Sequence, residues 1–233
     1  MYILLAVALY AAIAYAVTKS SRSGSNTISK DTIRLHLATV QNFALRVRTS
    51  IMRMKILDGY EPWQIDYSKT GFTSNTSSNT NCTSSYCKLH DPSGGGIEGY
   101  ILPQNYWATG SLGKYEFINV GIKGIGDDNQ RDLALLYAGV TKDFCLAVND
   151  VSGVTNPSGN PPLDNHGNEG GYAPYSGALS NDVTLATPPD LGVAAPEVAG
   201  KTMFCTDNNG GSYYFWVVKQ EKYDAPDNKN KRS

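Results

Sequence analysis

Residues 1–17, MYILLAVALYAAIAYAV, contain no charged side chain, and this run limits what the chain can be more than any other feature. Six of the seventeen are alanine and the other eleven are large and apolar or aromatic. In water those eleven would cost roughly 1.5–3 kcal/mol each, on the order of 20 kcal/mol together. Three environments keep such a helix dry: a membrane, a signal peptide that is cut away, or copies of itself. Ala14-Tyr15-Ala16 has the look of a cleavage site, but no basic n-region precedes the apolar run. As a single anchor the helix would be about 26 Å long against a bilayer core of about 30 Å, with Lys19 and Arg22 at the interface. As part of a bundle it offers Ala8, Ala12 and Ala16, a small residue at every fourth position, which lets a second helix approach closely. The expectation carried forward is a helix that starts in the membrane and ends among like helices.

The remainder of the 233-residue chain is polar, rich in Gly, Ser, Thr, Asn and Tyr. Its net charge of −1 gives no field for nucleic acid, and no Arg/Lys cluster accompanies a groove-reading motif. Cys82, Cys87, Cys145 and Cys205 form an even set, which beside an export-type N-terminus reads as two disulfides. Of the three connectivities, the short pair Cys82–Cys87 with the long pair Cys145–Cys205 is the one expected. Zinc fits poorly, because CxxxxC spacing and three histidines are a weak ligand set.

Two domains of unequal size are expected: residues 1–26, the apolar helix and a soft Ser/Gly joint, and residues 27–233, a globular body. An amphipathic helix is expected over 29–57. Ile33, Leu37, Val40, Ala44, Val47, Ile51 and Met54 step alternately by four and three, with Leu35, Phe43, Leu45, Met52 and Ile56 widening the stripe. Thr27 or Ser29 suits its N-cap and Gly59 its C-cap. A Ser/Thr-rich loop follows over 66–90, its tract 73–85 expected on the surface, with sequons at Asn75 and Asn81 as candidate glycosylation sites. Strands are expected over 97–102, 115–125 and 212–220, and short helices over 132–139 and 142–149. Residues 150–200 show no period, and 224–233 form a charged tail.

In order of parts the chain resembles a type IV pilin or a type II secretion pseudopilin. The resemblance spans the full length in architecture, and its sequence-specific part is residues 1–57. It implies an α+β fold: a long N-terminal helix, apolar in its first half and amphipathic in its second, packed on a small antiparallel sheet. The sheet and C-terminal region over 96–220 would be closed by the Cys145–Cys205 disulfide. It further implies a structural subunit of an extracellular helical filament on a bacterial surface, anchored in the inner membrane before assembly. Its partners would be identical subunits and a pilus or secretion assembly machinery. Leu4, Leu5, Ala8, Leu9, Ala12, Ile13 and Ala16 would be the packing residues of the filament core. The chain departs from the family at its start, with Met1 in place of the usual Phe and Leu5 in place of the usual Glu. The alternatives are a membrane-anchored monomeric periplasmic or surface binding domain, and a minor pseudopilin.

No enzyme is expected, since GxSxG, HExxH, Walker A and GxGxxG are all missing from the sequence. His36, His90 and His166 are isolated from one another in the chain. No cofactor is expected. Asp127, Asp128, Asn129 and Asp132, or Asp207, Asn208 and Asn209, carry oxygen ligands suited to calcium, but neither set follows the calcium-loop pattern and both read better as turns.

Overall fold

The structure is a computed structural model that describes residues 29–73, 78–125, 132–164, 191–208 and 211–219. Among the described residues it is α+β, with two α-helices and a four-stranded antiparallel sheet. Helix α1 runs Lys30–Asp58. Ser29 Oγ accepts the Asp31 N–H at 3.3 Å, satisfying one of the amides a helix start leaves open. Gly59, at φ 72°, ends the helix in the left-handed conformation that glycine adopts without strain. Ile33, Leu37, Val40, Phe43, Val47, Ile51 and Met54 are each at most 3% exposed and form one face of the helix. Ala44, expected with them, is half-buried.

That face lies on the sheet. Strands β1 (Tyr115–Val120), β2 (Asp132–Val140), β3 (Met203–Asp207) and β4 (Tyr213–Lys219) are ordered β1-β2-β4-β3. Helix α2 (Lys142–Ser152) follows β2 and packs beside α1 and β3. Because successive strand side chains alternate, Tyr115, Phe117, Leu133, Leu135, Tyr137, Cys205, Phe215 and Val217 join α1 in one core. Ile118, Val120, Ala134, Leu136, Phe204, Trp216 and Val218 form a second core on the other side, covered by Ile122, Ile125, Val154, Leu191, Ala195 and Val198.

This double burial corrects the sequence reading of 132–139 as a helix. The segment is β2, the central strand between β1 and β4. A strand covered on both faces has no reason to alternate apolar with polar residues, so its continuous run of Leu and Ala mimics a buried helix. Its register shifts between Ala138 and Val140. Gly139, at φ 82°, supplies the bulge, and a Cβ there would meet Ser111 Oγ at 2.7 Å.

The expected strand over 97–102 belongs to no ladder. Its groups serve others: Ile97 N–H donates to Leu89 O, Tyr137 OH to Tyr100 O, and Trp107 Nε1 to Leu102 O. The strand expected over 115–125 stops at Val120, after which Ile122 forms an isolated bridge with Leu191. Strand β3 has no counterpart among the expected elements, because five residues with no alternation carry no period. The 66–90 loop is not wholly superficial. Asp66 bridges Lys88, and Asn79 and Leu89 are buried. Helix α2 extends the expected 142–149 to Ser152, with Thr141 Oγ1 accepting the Phe144 N–H at 3.3 Å.

The cysteines pair as Cys82–Cys87 and Cys145–Cys205, with sequence separations of 5 and 60. The short bond closes the polar loop on itself. The long one joins α2 to β3 inside the core.

Candidate interaction surface

Helix α1 also carries large apolar residues outside its buried stripe. Leu35, Leu45, Met52, Ile56 and Leu57 are 66, 59, 47, 74 and 73% exposed. The expectation that Leu35, Phe43, Leu45, Met52 and Ile56 jointly widen the buried stripe therefore holds for Phe43 alone. At about 100° per residue, Leu45, Met52 and Ile56 point away from the stripe centred on Val40, Val47 and Met54, so no sheet could take up both sets.

Local chemistry sharpens the outer face. The hydroxyls of Thr39 and Thr49 turn inward to the helix backbone, donating to Leu35 O at 2.9 Å and Leu45 O at 3.0 Å. Both threonines are exposed. Charged residues on α1 are predominantly cationic: Lys30, Arg34, Arg46, Arg48, Arg53 and Lys55 against Asp31 and Asp58. Several are held by neighbours. Arg34 pairs with Asp31 at 3.2 Å and Lys55 with Glu61 at 2.9 Å. Arg53 donates to the Gly94 carbonyl and, at 3.2 Å, to that of Gly95, where Ser50 Oγ also donates at 2.7 Å. These bonds fasten the Gly-rich turn to the flank of α1 and leave the outer stripe uncovered by any described residue.

The other residues singled out by sequence fall into three groups. Leu4, Leu5, Ala8, Leu9, Ala12, Ile13, Ala16, Asn75, Asp127, Asp128, Asn129, His166 and Asn209 lie outside the described residues. So does the tail over 224–233. Asn81 is exposed, its N–H held by Asn79 Oδ1 at 2.9 Å, on the loop stapled by Cys82–Cys87. The histidines are apart from one another. His36 Nδ1 lies 3.3 Å from Tyr100 OH, and its ring meets Tyr106 edge-on at 5.2 Å between centroids. His90 Nδ1–H donates to Ile97 O at 2.7 Å. Burial holds the His90 pKa below its ordinary value of 6.5, against the opposing pull of the Ile97 carbonyl.

Among the described residues, no three His, Cys, Asp or Glu side chains converge in a way suited to a metal ion. Asp207 Oδ1 accepts the Gly211 N–H at 3.2 Å. No helix among the described residues is long and apolar enough to cross a membrane. No family model, curated protein or solved structure matches the chain.

Proposed function

We propose that this chain is a structural subunit of an extracellular, type IV pilus-like helical filament. In this reading residues 1–17 form an apolar helix that continues into α1, so that a long helix is apolar in its first half and two-faced in its second. The helix is held in the inner membrane before assembly and passes into a bundle of like helices during it. Neither environment exposes the eleven large apolar residues of the run to water.

The observation that carries the reading is the outer face of α1. A helix already anchored on a sheet has no folding need for Leu35, Leu45, Met52 and Ile56 opposite its buried face. Contact with other helices uses both the Ala8/Ala12/Ala16 stripe and this outer face; a lone anchor uses neither. The two disulfides agree with an oxidising compartment.

Electron microscopy of material sheared from cells that express the chain tests the proposal. Filaments are expected from the natural sequence. Ala8→Leu with Ala12→Leu, or Leu45→Ser with Met52→Ser, should abolish them while the disulfide-linked body remains folded. Normal filaments from both double variants would overturn the bundling argument. A monomeric membrane-anchored protein in every case would establish the alternative of an anchored binding domain.

A further inference from the structure

Along the flank of α1 that adjoins β3, two clefts of about 350 and 210 Å³ run end to end, sharing Gln41, Thr202 and Met203. The charged side chains on their walls are Arg34 and Lys201 in the first and Arg48 in the second, with no carboxylate among the lining residues. Ser152 Oγ lines the first cleft, buried and with no hydrogen-bond partner.

The edge of β3 points into the same place. Val218 N–H donates to Thr202 O at 2.8 Å, so positions 202, 204 and 206 bond toward β4 and positions 203, 205 and 207 turn their amides outward. Asn149 closes position 205: its amide donates to Cys205 O at 3.0 Å and accepts Cys205 N–H at 2.8 Å. Residues 162–164 close position 207, where Asp207 N–H donates to Pro162 O and Asp207 O accepts Asp164 N–H. Met203 is the outward position that lines the clefts, and no comparable plug sits on it among the described residues. Met203 is itself 9% exposed, and a strand edge left unpaired is normally covered.

Strand β4 ends at Lys219, and its Val217 and Val218 form a wall of the second cleft. The chain therefore leaves the sheet at the mouth of the groove. Its remaining residues read QEKYDAPDNKNKRS, and the first eight of them hold Glu221, Asp224 and Asp227 against the single cation Lys222. Eight residues reach up to about 26 Å when extended. The groove from Arg34 to Arg48 follows about 21 Å of helix.

We propose that residues 220–227 of the chain's own tail fold back into this groove, their carboxylates facing Arg34 and Lys201 and their backbone covering the open edge at Met203. The tail then covers the flank of α1 up to Leu45, which lines the second cleft, and leaves Met52 and Ile56 uncovered. The inference does not depend on the filament reading.

The test is zero-length cross-linking of the full chain in detergent micelles, using an equal mixture of ¹⁵N-labelled and unlabelled protein. A carbodiimide takes up the elements of water while an amide forms between a carboxyl group and a lysine Nζ. Lys55–Glu61 and Lys69–Glu98, both ion pairs in the fold, are internal positive controls. Lys201 should be joined to Glu221, Asp224 or Asp227, with both peptides of one isotope and a yield several-fold above links from the tail to Lys114. Lys201→Arg, which keeps the charge and removes the amine, should abolish that link alone. Successful control links without one at Lys201, or tail links spread evenly over surface lysines, would overturn the proposal. Mixed-isotope links at Lys201 would overturn it too, because they would put another copy's tail in the groove.

Discussion

On the inner face of α1, Phe43 and Ile51 are 3 and 1% exposed; on the outer face, Leu45 and Met52 are 59 and 47% exposed. The two sets are interleaved within a short stretch of one helix and have similar hydrophobicity. What separates them is angle. Phe43 meets Tyr115 edge-on at 5.4 Å and Tyr100 at 6.4 Å, in a core of aromatic rings, whereas Leu45 borders a cleft. Apolar character alone therefore does not tell folding surface from interaction surface. The inner residues stabilise the fold, whereas the outer ones stay in water among the described residues.

The comparison can be broken most forcefully at the inner face. Phe43→Ala should destabilise the folded body by about 3–5 kcal/mol, through lost transfer energy and a cavity beneath Tyr115. Urea unfolding of residues 29–219 measures it, and a cost below about 1 kcal/mol would mean that the helix is not seated as described.

The two disulfides provide a second contrast between core and periphery. With a separation of 60, the Cys145–Cys205 bond should contribute about 4 kcal/mol through the unfolded chain; Cys82–Cys87, with a separation of 5, should contribute about 2 kcal/mol. Paired serine replacements compared by urea unfolding give the ratio. Equal losses would show that the long bond does not restrain its loop in the way its span implies.

Asn149→Leu should cost about 2–3 kcal/mol, because it leaves the N–H and C=O of the buried Cys205 without their partners at similar volume. Asn149→Asp restores one of the two bonds and should lose less near pH 4 than near pH 8, where a buried charge is added. The same unfolding assay reads both.

A smaller effect is expected from pH. His90 is held below 6.5 by burial, so the unfolded chain takes up a proton before the folded one does. Its contribution to stability is complete above pH 6.5 and is lost as the pH falls toward the depressed folded value. His90→Gln should flatten the stability slope just below pH 6.5, and an unchanged slope would remove His90 as its cause.

Least should happen at the outer face. Leu45→Ser with Met52→Ser should change the stability of residues 29–219 by no more than about 0.5 kcal/mol, even though the same pair is expected to abolish filaments. A large loss of stability would place these residues in the folding core and remove the distinction on which the interaction surface rests.

Periodicity and end chemistry make α1 legible in the sequence. Its i+3/i+4 stripe, Ser29 at its start and Gly59 at its end all act within a few residues of one another, so they need no partner to be recognised. The aromatic and β-branched run of β4 is legible for the same local reason. The outer face is written there too, since angles come from numbering. Residue type alone groups Leu35, Leu45, Met52 and Ile56 with the buried stripe; only placing them by angle sets them apart.

Other features belong to tertiary structure. Strand β2 looks helical until β1 and β4 lie on either side of it and both of its faces are covered. The short β3 exists because β4 offers it a ladder and Asn149, 56 residues away in the chain, satisfies its outer edge. The groove beside α1 arises only where helix and strand edge are brought together. The sequence by itself determined the apolar N-terminal run, the helix stripe with its caps and the even set of four cysteines, because each is encoded in composition or near-neighbour spacing. Which residues became strands, which faces were buried and where an open edge remained were decided by long-range contact, whose energy no local window of sequence contains.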